Sequence, residues 1–280
     1  MNKSFIAIAA GLVILSGCKE NIRLDFQADK DGVWHVPEKQ MDKWAQAIIK
    51  SDDSRAAALL DMGYGKADSL SAEDPDARTL EAFAHAVADR FLDINSPFYD
   101  ERACELALDR EADCLHWTSW GRRGVDWRRS ILNLNRPGTR VSDFWLSNGE
   151  KGQDTLLRQL LSDAPFTVLF IYGESCQTCK KMMEEIRASR RFAQMASNGK
   201  IQFISLYTGA DTQEFISALS QFPDYWKNWR DRENVVKYDR AFDNRMIPSL
   251  YVIDNSETVI LRGKMKVNEI EKFFTRKGNY

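Results

Sequence analysis

One segment restricts the fold of this chain more than any other: residues 166–186, which read "FTVLFIYGESCQTCKKMMEEI". An unbroken apolar run with the length of a buried strand leads almost directly into Cys176 and Cys179, and a helical pattern follows. At the start of a helix, unpaired N–H groups and the positive end of the helix dipole favour a thiolate over a thiol. The segment therefore predicts a strand that places a reactive cysteine pair at the first turn of a helix.

A CxxC pair has three common uses in proteins: disulfide exchange, metal binding and a static disulfide. In exchange, Cys176 attacks a substrate disulfide, and Cys179, one turn further and more buried, resolves the mixed disulfide. A zinc site generally takes four ligands, often from a second CxxC or from closely spaced histidines. The chain has no second CxxC, and His35, His85 and His116 all lie in its first half. We therefore expect no metal site, whereas exchange and a static disulfide both remain open.

The first residues predict export. Residues 1–17 combine a basic start at Lys3 with an apolar run over 5–15 that is too short to span a bilayer. The end of this segment, "LSGC", resembles the lipobox of bacterial lipoproteins, in which cleavage before Cys18 leaves a lipidated N-terminus; an ordinary signal peptide with a coincidental cysteine is the alternative. Several acyl chains anchor a protein stably. We expect a chain anchored on the periplasmic side of the inner or outer bacterial membrane.

The charge balance argues against nucleic acid as a partner. Lys and Arg total 39 and Asp and Glu total 41, which gives a formal charge of -2, so the chain has no overall basic footprint. A local basic cluster with two tryptophans occurs at residues 120–130, "WGRRGVDWRRS". Because the surrounding charge is balanced, we interpret this cluster as a solvated face.

Two further cysteines, Cys104 and Cys114, are left when the pair and Cys18 are set aside. On one uninterrupted helix they would lie about 15 Å apart at 1.5 Å per residue, beyond the reach of a disulfide. A bridge between them would require a turn. A structural disulfide and two buried thiols both remain open, and neither cysteine is expected to be catalytic.

The organisation changes near Asn135. From residue 30 to about 132 the apolar spacing is that of successive amphipathic helices, whereas beyond the boundary strands and helices alternate. We predict a signal peptide at 1–17, a helical domain at 18–135 and a second domain at 136–280. Its predicted strands are 166–172, 201–207, 249–254 and 258–262, with helices at 154–163, from about 176, from about 212 and at 267–274. The tryptophan-rich segment 222–242 is predicted to be an insertion. This pattern predicts an α/β fold with a mixed sheet covered by helices.

A second marker is Pro248, at the start of a strand in "NRMIPSLYVID". Proline cannot donate a ladder hydrogen bond, so it belongs to an edge or a special turn. A CxxC after a strand, followed by Ile-Pro before a β-hairpin and a C-terminal helix, resembles the thioredoxin fold. More closely, "RPGTRVSDFWL", "FTVLFIYGESCQTCKK" and "IPSLYVIDNSETVIL" resemble the membrane-attached TlpA/ResA-like thiol-disulfide oxidoreductases. The first half, notably "DINSPFYDERACELAL" ahead of "LNRPG", resembles the helical domain of unknown function attached to such thioredoxin-like lipoproteins in anaerobic gut bacteria.

The resemblance implies roles for individual residues. Cys176 attacks, Cys179 resolves, and Pro248 is cis and lies against the cysteine pair. With Ile247 it would offer backbone groups to a bound substrate strand. Glu174 is the nearest carboxylate in the sequence and a candidate acid or base, with an exposed loop glutamate as the alternative.

Three positions depart from the family pattern. Phe170 stands where such proteins often carry a buried acid, Ser175 where an aromatic residue often precedes the first cysteine, and Glu184 where the helix often has a proline. These departures put the proton relay in question. The expected activity is thiol-disulfide exchange with protein substrates, without a cofactor and with a membrane or periplasmic redox partner. The alternative is a non-catalytic binding or scaffold lipoprotein with a structural CxxC disulfide.

Overall fold

A computed structural model of the chain describes residues 22–148, 153–173, 175–210, 212–238, 241–243, 245, 247–263 and 265–276. The predicted signal peptide, Cys18 and Glu174 lie outside these residues. The chain divides into two compact units, the first ending at Val125 and the second beginning at Asp126. This division falls inside a helix that ends at Asn133, and the predicted boundary at residue 135 lies just beyond its end.

The first unit is built from helices. They are α1 (Glu38–Lys50), α2 (Asp53–Leu70), α3 (Arg78–Phe91), α4 (Glu101–Asp113) and the beginning of α5 (Ser119–Asn133), preceded by an antiparallel pair of short strands, β1 (Gln27–Ala28) and β2 (Trp34–His35). Side chains cap the starts of α2 and α4, since Asp52 accepts from the N–H of Arg55 and Asp100 from the N–H of Ala103.

Trp44 lies at the centre of the core of this unit and is fully buried. Its Nε1–H donates to the Leu59 carbonyl at 3.1 Å, and its ring centroid lies 5.7 Å from Phe83 and 6.1 Å from Phe91. These rings come from α1 and α3, which both lie in the segment that the sequence predicts to be helical. The buried aromatics therefore join two helices of the predicted helical domain.

Helix α2 contains two glycines, Gly63 and Gly65, and continues past both to Leu70. Gly63 has a packing role inside this helix: a Cβ there would lie 2.6 Å from Cζ of Phe83 and 3.2 Å from Cζ2 of Trp44. A Cβ at Gly65 would meet nothing within 4 Å. The two glycines thus differ in their surroundings although they share one helix.

We expect Gly63→Ala to destabilise the first unit by about 1–3 kcal/mol, because the new methyl group would overpack the buried Phe83 ring. Gly65→Ala is the matched control. It should stabilise the same helix by about 0.5–1 kcal/mol, since alanine loses less backbone entropy on folding. Urea unfolding of the two variants measures both changes. Equal stability of the two variants would contradict the proposed close contact.

The second unit is a seven-stranded mixed sheet with helices on both faces. The strands are β3 (Trp145–Asn148), β4 (Gln153–Leu156), β5 (Phe166–Tyr172), β6 (Ile201–Tyr207), β7 (Trp226–Asp231), β8 (Ser249–Asp254) and β9 (Val259–Gly263), in the order β4-β3-β7-β6-β5-β8-β9. In the described sheet, the pairs β5–β6 and β6–β7 are parallel, and the other strand pairs are antiparallel. The helices are α6 (Leu157–Leu161), α7 (Gln177–Ala188), α8 (Arg190–Ser197), α9 (Thr212–Leu219), α10 (Val235–Tyr238) and α11 (Val267–Arg276).

The central strand β5 explains how one sheet supports two cores, because its successive side chains point to opposite faces. Phe166, Val168, Phe170 and Tyr172 pack into a cluster with residues of α7, α8, α9 and α11. Leu169 and Ile171 pack into the other cluster, with residues of α6 and the segment around α10. Both faces are buried, and the predicted α/β class with a mixed sheet is confirmed.

Two predictions about this unit are wrong. The tryptophan-rich segment contains strand β7, which pairs with β6 and β3, and the predicted helix at 154–163 begins as strand β4. Strand β7 reads "WKNWRD", which lacks an apolar run; it is fixed by Trp226, stacked on Phe203 at 4.9 Å. At its end the buried Asp231 carboxylate accepts from the N–H of Val236 at 2.7 Å, and burial raises the pKa of this group.

Candidate functional site

The cysteine pair lies where β5 passes into α7. Cys176 is the N-cap residue of α7, and its Sγ accepts from the backbone N–H of Cys179 at 3.1 Å. The two cysteines form a disulfide with an S–S distance of 2.07 Å and a Cα–Cα distance of 5.2 Å. Cys176 is half-buried, whereas Cys179 is only 4% exposed. An attacking and a resolving cysteine need this difference in access.

The Ile247-Pro248 segment lies beside the disulfide. The peptide bond between these residues is cis, as the family resemblance implies. The Sγ of Cys176 lies 3.8 Å from the carbonyl oxygen of Ile247. A Cβ on Gly173 would come within 3.3 Å of Cδ1 of Ile247, so the absence of a side chain there admits the isoleucine. The structure therefore brings four predicted site residues together, while Glu174 and Cys18 lie outside the described residues.

Phe170, which replaces the acid common in similar proteins, is 1% exposed and belongs to an aromatic cluster. Its ring centroid lies 5.8 Å from Tyr172, 5.8 Å from Trp226 and 6.4 Å from Phe222. An ionised carboxylate in these apolar surroundings would be strongly disfavoured. Phenylalanine has no ionisable group, so position 170 supplies no proton acceptor to this site.

A carboxylate reaches the site from a different element. Glu214, on α9, accepts from the backbone N–H of Ser175 through Oε1 at 2.7 Å and from the hydroxyl of Tyr207 through Oε2 at 3.2 Å. Ser175 immediately precedes Cys176 and has a positive φ of 49°, a conformation uncommon for residues other than glycine. Glu214 thus holds the backbone that leads into the first cysteine.

A cavity of about 230 Å³ connects these groups. Cys176, Cys179 and Glu214 all line it, together with Tyr207 and apolar residues that include Phe170. The local sequence pattern does not indicate Glu214, because this residue is distant from the cysteine pair along the chain. A signal does exist: β5 and β6 are parallel with Tyr172 opposite Tyr207, so the residues that follow both strands meet at one edge of the sheet.

Tyr172 is the second tyrosine at this edge. Burial, with the neighbouring Tyr207 as the next cause, raises the pKa of its phenol well above the ordinary range. The hydroxyl therefore stays protonated at neutral pH. Thr208 donates to the Tyr172 carbonyl from both its N–H, at 2.9 Å, and its hydroxyl, at 3.1 Å. These bonds join the ends of the two parallel strands.

The other two cysteines are buried thiols in the first unit, which settles the alternative left open by the sequence. The Sγ of Cys114 donates to the Arg110 carbonyl at 3.4 Å. Burial, assisted by the charges of Asp68 and Glu111, raises the pKa of Cys114 to about 12. Since the thiolate is the reactive form, Cys114 is inert at neutral pH.

Within the described ranges, no group of three or more His, Cys, Asp or Glu side chains is arranged to hold a metal ion. Among the helices of the same residues, none combines the length and the apolar character needed to cross a membrane.

Solved structures give the chain a known fold. A thioredoxin-like protein from Bacteroides caccae covers 92% of this chain and 99% of its own length, with 18% identity and a TM-score of 0.67. The C-terminal domain of an uncharacterized protein from Bacteroides fragilis covers 50% of this chain and 98% of its own, with 29% identity and a TM-score of 0.47. The thioredoxin domain of a thiol-disulfide oxidoreductase from Bacteroides vulgatus covers 51% and 98%, with 12% identity and a TM-score of 0.43.

Neither a protein-family model nor a curated protein matches the chain. The likeness to the Bacteroides caccae protein nevertheless extends over both units. The chain therefore has a thioredoxin-like fold with an additional, helical N-terminal portion, and the predicted fold is confirmed.

Proposed function

We propose that this protein is an exported, lipid-anchored thiol-disulfide oxidoreductase that exchanges disulfides with protein substrates through Cys176 and Cys179. One observation carries the proposal: the half-buried Cys176 sulfur lies at the start of α7, 3.8 Å from the Ile247 carbonyl, with its partner sulfur buried behind it. In the reduced protein the helix start would favour the thiolate of Cys176.

Exchange takes place in two steps. The Cys176 thiolate attacks one sulfur of a substrate disulfide, a bond forms between them, and the other substrate sulfur leaves as a thiolate. Cys179 then attacks Cys176, which restores the Cys176–Cys179 disulfide and releases the second substrate thiolate. The substrate gains two electrons and the pair loses two. A membrane or periplasmic redox partner would reset the pair, and the same steps in reverse would oxidise a substrate dithiol.

Ile247 and Pro248 are the proposed substrate-binding residues. The Ile247 carbonyl is an acceptor beside Cys176, and Pro248 presents no N–H to compete with an extended substrate strand. Glu174 remains a proposed acid or base on sequence grounds. The proposed site uses no cofactor and no metal.

The proposal for location rests on the sequence. Residues 1–17 would direct export, and Cys18 would carry the lipid that holds the chain on the periplasmic side of the membrane. The helical domain would then span 18–135 and the thioredoxin-like domain 136–280.

A redox titration tests the proposed activity. The protein is equilibrated in thiol-disulfide buffers, and the Cys176–Cys179 peptide is read by alkylation and mass spectrometry. We expect a midpoint between about −120 and −270 mV, the range of known exchange catalysts, and its value indicates the direction of electron flow. A pair that stays oxidised below about −300 mV would instead be a structural disulfide and would favour a binding lipoprotein.

A further inference from the structure

The resolving cysteine needs a proton acceptor. Cys179 is 4% exposed, so bulk water has little access to its thiol, and burial disfavours the thiolate. The position that similar proteins often use for an acid holds Phe170, which is buried among aromatic rings. A proton acceptor for Cys179 must therefore come from another part of the site.

The cavity beside Cys179 offers few candidates. Its titratable side chains, besides the two cysteines, are Tyr172 on β5, Lys180 on α7, Tyr207 on β6 and Glu214 on α9. Tyr172 stays protonated because its phenol is buried, and an ammonium group has no lone pair to accept a proton. The Tyr207 hydroxyl already donates to Glu214. Among these described lining residues, the Glu214 carboxylate is the group whose oxygens are held at the cavity wall as acceptors.

The position of Glu214 is fixed on two sides. Oε1 accepts from the Ser175 N–H at 2.7 Å, and Oε2 accepts from the Tyr207 hydroxyl at 3.2 Å. These bonds hold the carboxylate at the wall of the cavity that Cys179 also lines. The cavity volume of about 230 Å³ is far above the roughly 30 Å³ that one water occupies in the liquid, so the cavity that Cys179 and Glu214 both line has room for water to carry a proton.

We propose that Glu214 takes the place of the missing acid and accepts the Cys179 proton when the mixed disulfide is resolved. The proposal rests on the exchange activity proposed above, and it identifies the carboxylate that accepts the proton of the resolving cysteine. In this step the Cys179 sulfur bonds to the Cys176 sulfur and the bond from Cys176 to the substrate sulfur breaks. The electron pair of the broken bond leaves with the substrate thiolate, and the Cys179 proton moves to the Glu214 carboxylate. In the reverse reaction the protonated Glu214 returns the proton to Cys179.

The test uses the full chain in detergent, reduced and then mixed with dithiodipyridine, a small disulfide whose thiopyridone product absorbs light. The first equivalent of thiopyridone reports attack by Cys176, and the second reports resolution by Cys179. The variant Glu214→Gln keeps an oxygen for the Ser175 N–H but cannot accept a proton. We expect it to slow the second phase about 100-fold at neutral pH, within the range for lost general base catalysis.

The pH profile separates proton transfer from a structural role. At alkaline pH, where hydroxide ionises Cys179 without the help of Glu214, the second phases of Glu214→Gln and of the parent protein should converge, while the first phase stays within a few-fold of the parent throughout. A constant slowing at every pH would overturn the proposal, because it would indicate only misplaced cysteines. A faster second phase would also overturn it, because Glu214 would then act only as a charge that opposes the Cys179 thiolate.

Two variants serve as controls. Glu185→Gln removes one negative charge from an exposed position on α7 and should leave both phases unchanged. Tyr207→Phe removes one hydrogen bond to the carboxylate and should retain the parent's pH dependence, since the Glu214 side chain itself is still present. Loss of that dependence in Tyr207→Phe would assign the proton to the tyrosine and overturn the proposal. Failure of the proposed exchange activity can be distinguished from failure of the role proposed for Glu214. In the first case, the redox titration would show a Cys176–Cys179 pair that remains oxidised.

Discussion

Replacing Cys176 with serine is expected to reduce disulfide exchange to the uncatalysed rate. A serine hydroxyl at this position cannot form the mixed disulfide, and Cys179, which is only 4% exposed, has little access to a protein substrate. Replacing Cys179 should have a different result. Cys176 would still attack, but nothing would resolve the mixed disulfide, so the Cys179→Ser protein should accumulate covalently joined to its substrate.

The measurement is the reduction of a protein disulfide over time. Non-reducing electrophoresis and a count of the released thiols distinguish Cys176→Ser from Cys179→Ser. Cys176→Ser should show neither turnover nor adduct, and Cys179→Ser should show an adduct that a reductant dissolves. Cys114→Ala is the matched control, because it removes a buried cysteine whose raised pKa keeps it protonated. It should retain the parent rate. Turnover by either active-site variant would contradict the two-step mechanism.

The sequence predicted the central strands well for a physical reason. Strands β5, β6 and β8 begin and end at the predicted residues, because each is a mainly apolar segment that is buried on both faces of the sheet. The three strands of this sheet that were not predicted, β3, β4 and β7, lack such a segment. Strand β7 owes its place to the stacking of Trp226 on Phe203 and to backbone pairing with β6. Those contacts arise only when distant parts of the chain have met.

The residues of the candidate site also differ in whether a local sequence pattern predicts them. Cys176, Cys179 and Pro248 were recognisable because local patterns, a CxxC after a strand and a proline before one, mark them. Glu214 carries no local mark, since it lies on an ordinary amphipathic helix. Its role depends on the parallel pairing of β5 with β6, which places Ser175 and α9 at the same end of the sheet. Residues that act through tertiary geometry are the part that local patterns cannot reveal.

Phe170→Ala is expected to lower the free energy of unfolding of the second unit by about 3–5 kcal/mol, the typical cost of removing a large buried aromatic side chain. The ring is 1% exposed and contacts Tyr172, Phe222 and Trp226, so its removal would leave a void beneath the cysteine pair. Guanidinium unfolding of the oxidised protein, followed by tryptophan fluorescence, measures the loss.

Phe170→Leu is the control, because leucine refills most of the volume and should cost clearly less than alanine. Phe170→Asp, which restores the acid of similar proteins, should cost at least as much as alanine, since the carboxyl group would have to be buried against three aromatic rings. If the aspartate variant were as stable as the parent, position 170 would tolerate an acid, and the physical reason for placing the carboxylate on α9 would fail. The expected loss of stability in Phe170→Asp would instead explain why the carboxylate is on α9. Since residue 170 is part of an aromatic core, the proton acceptor proposed for Cys179 has to reach the cavity from another element, as Glu214 does.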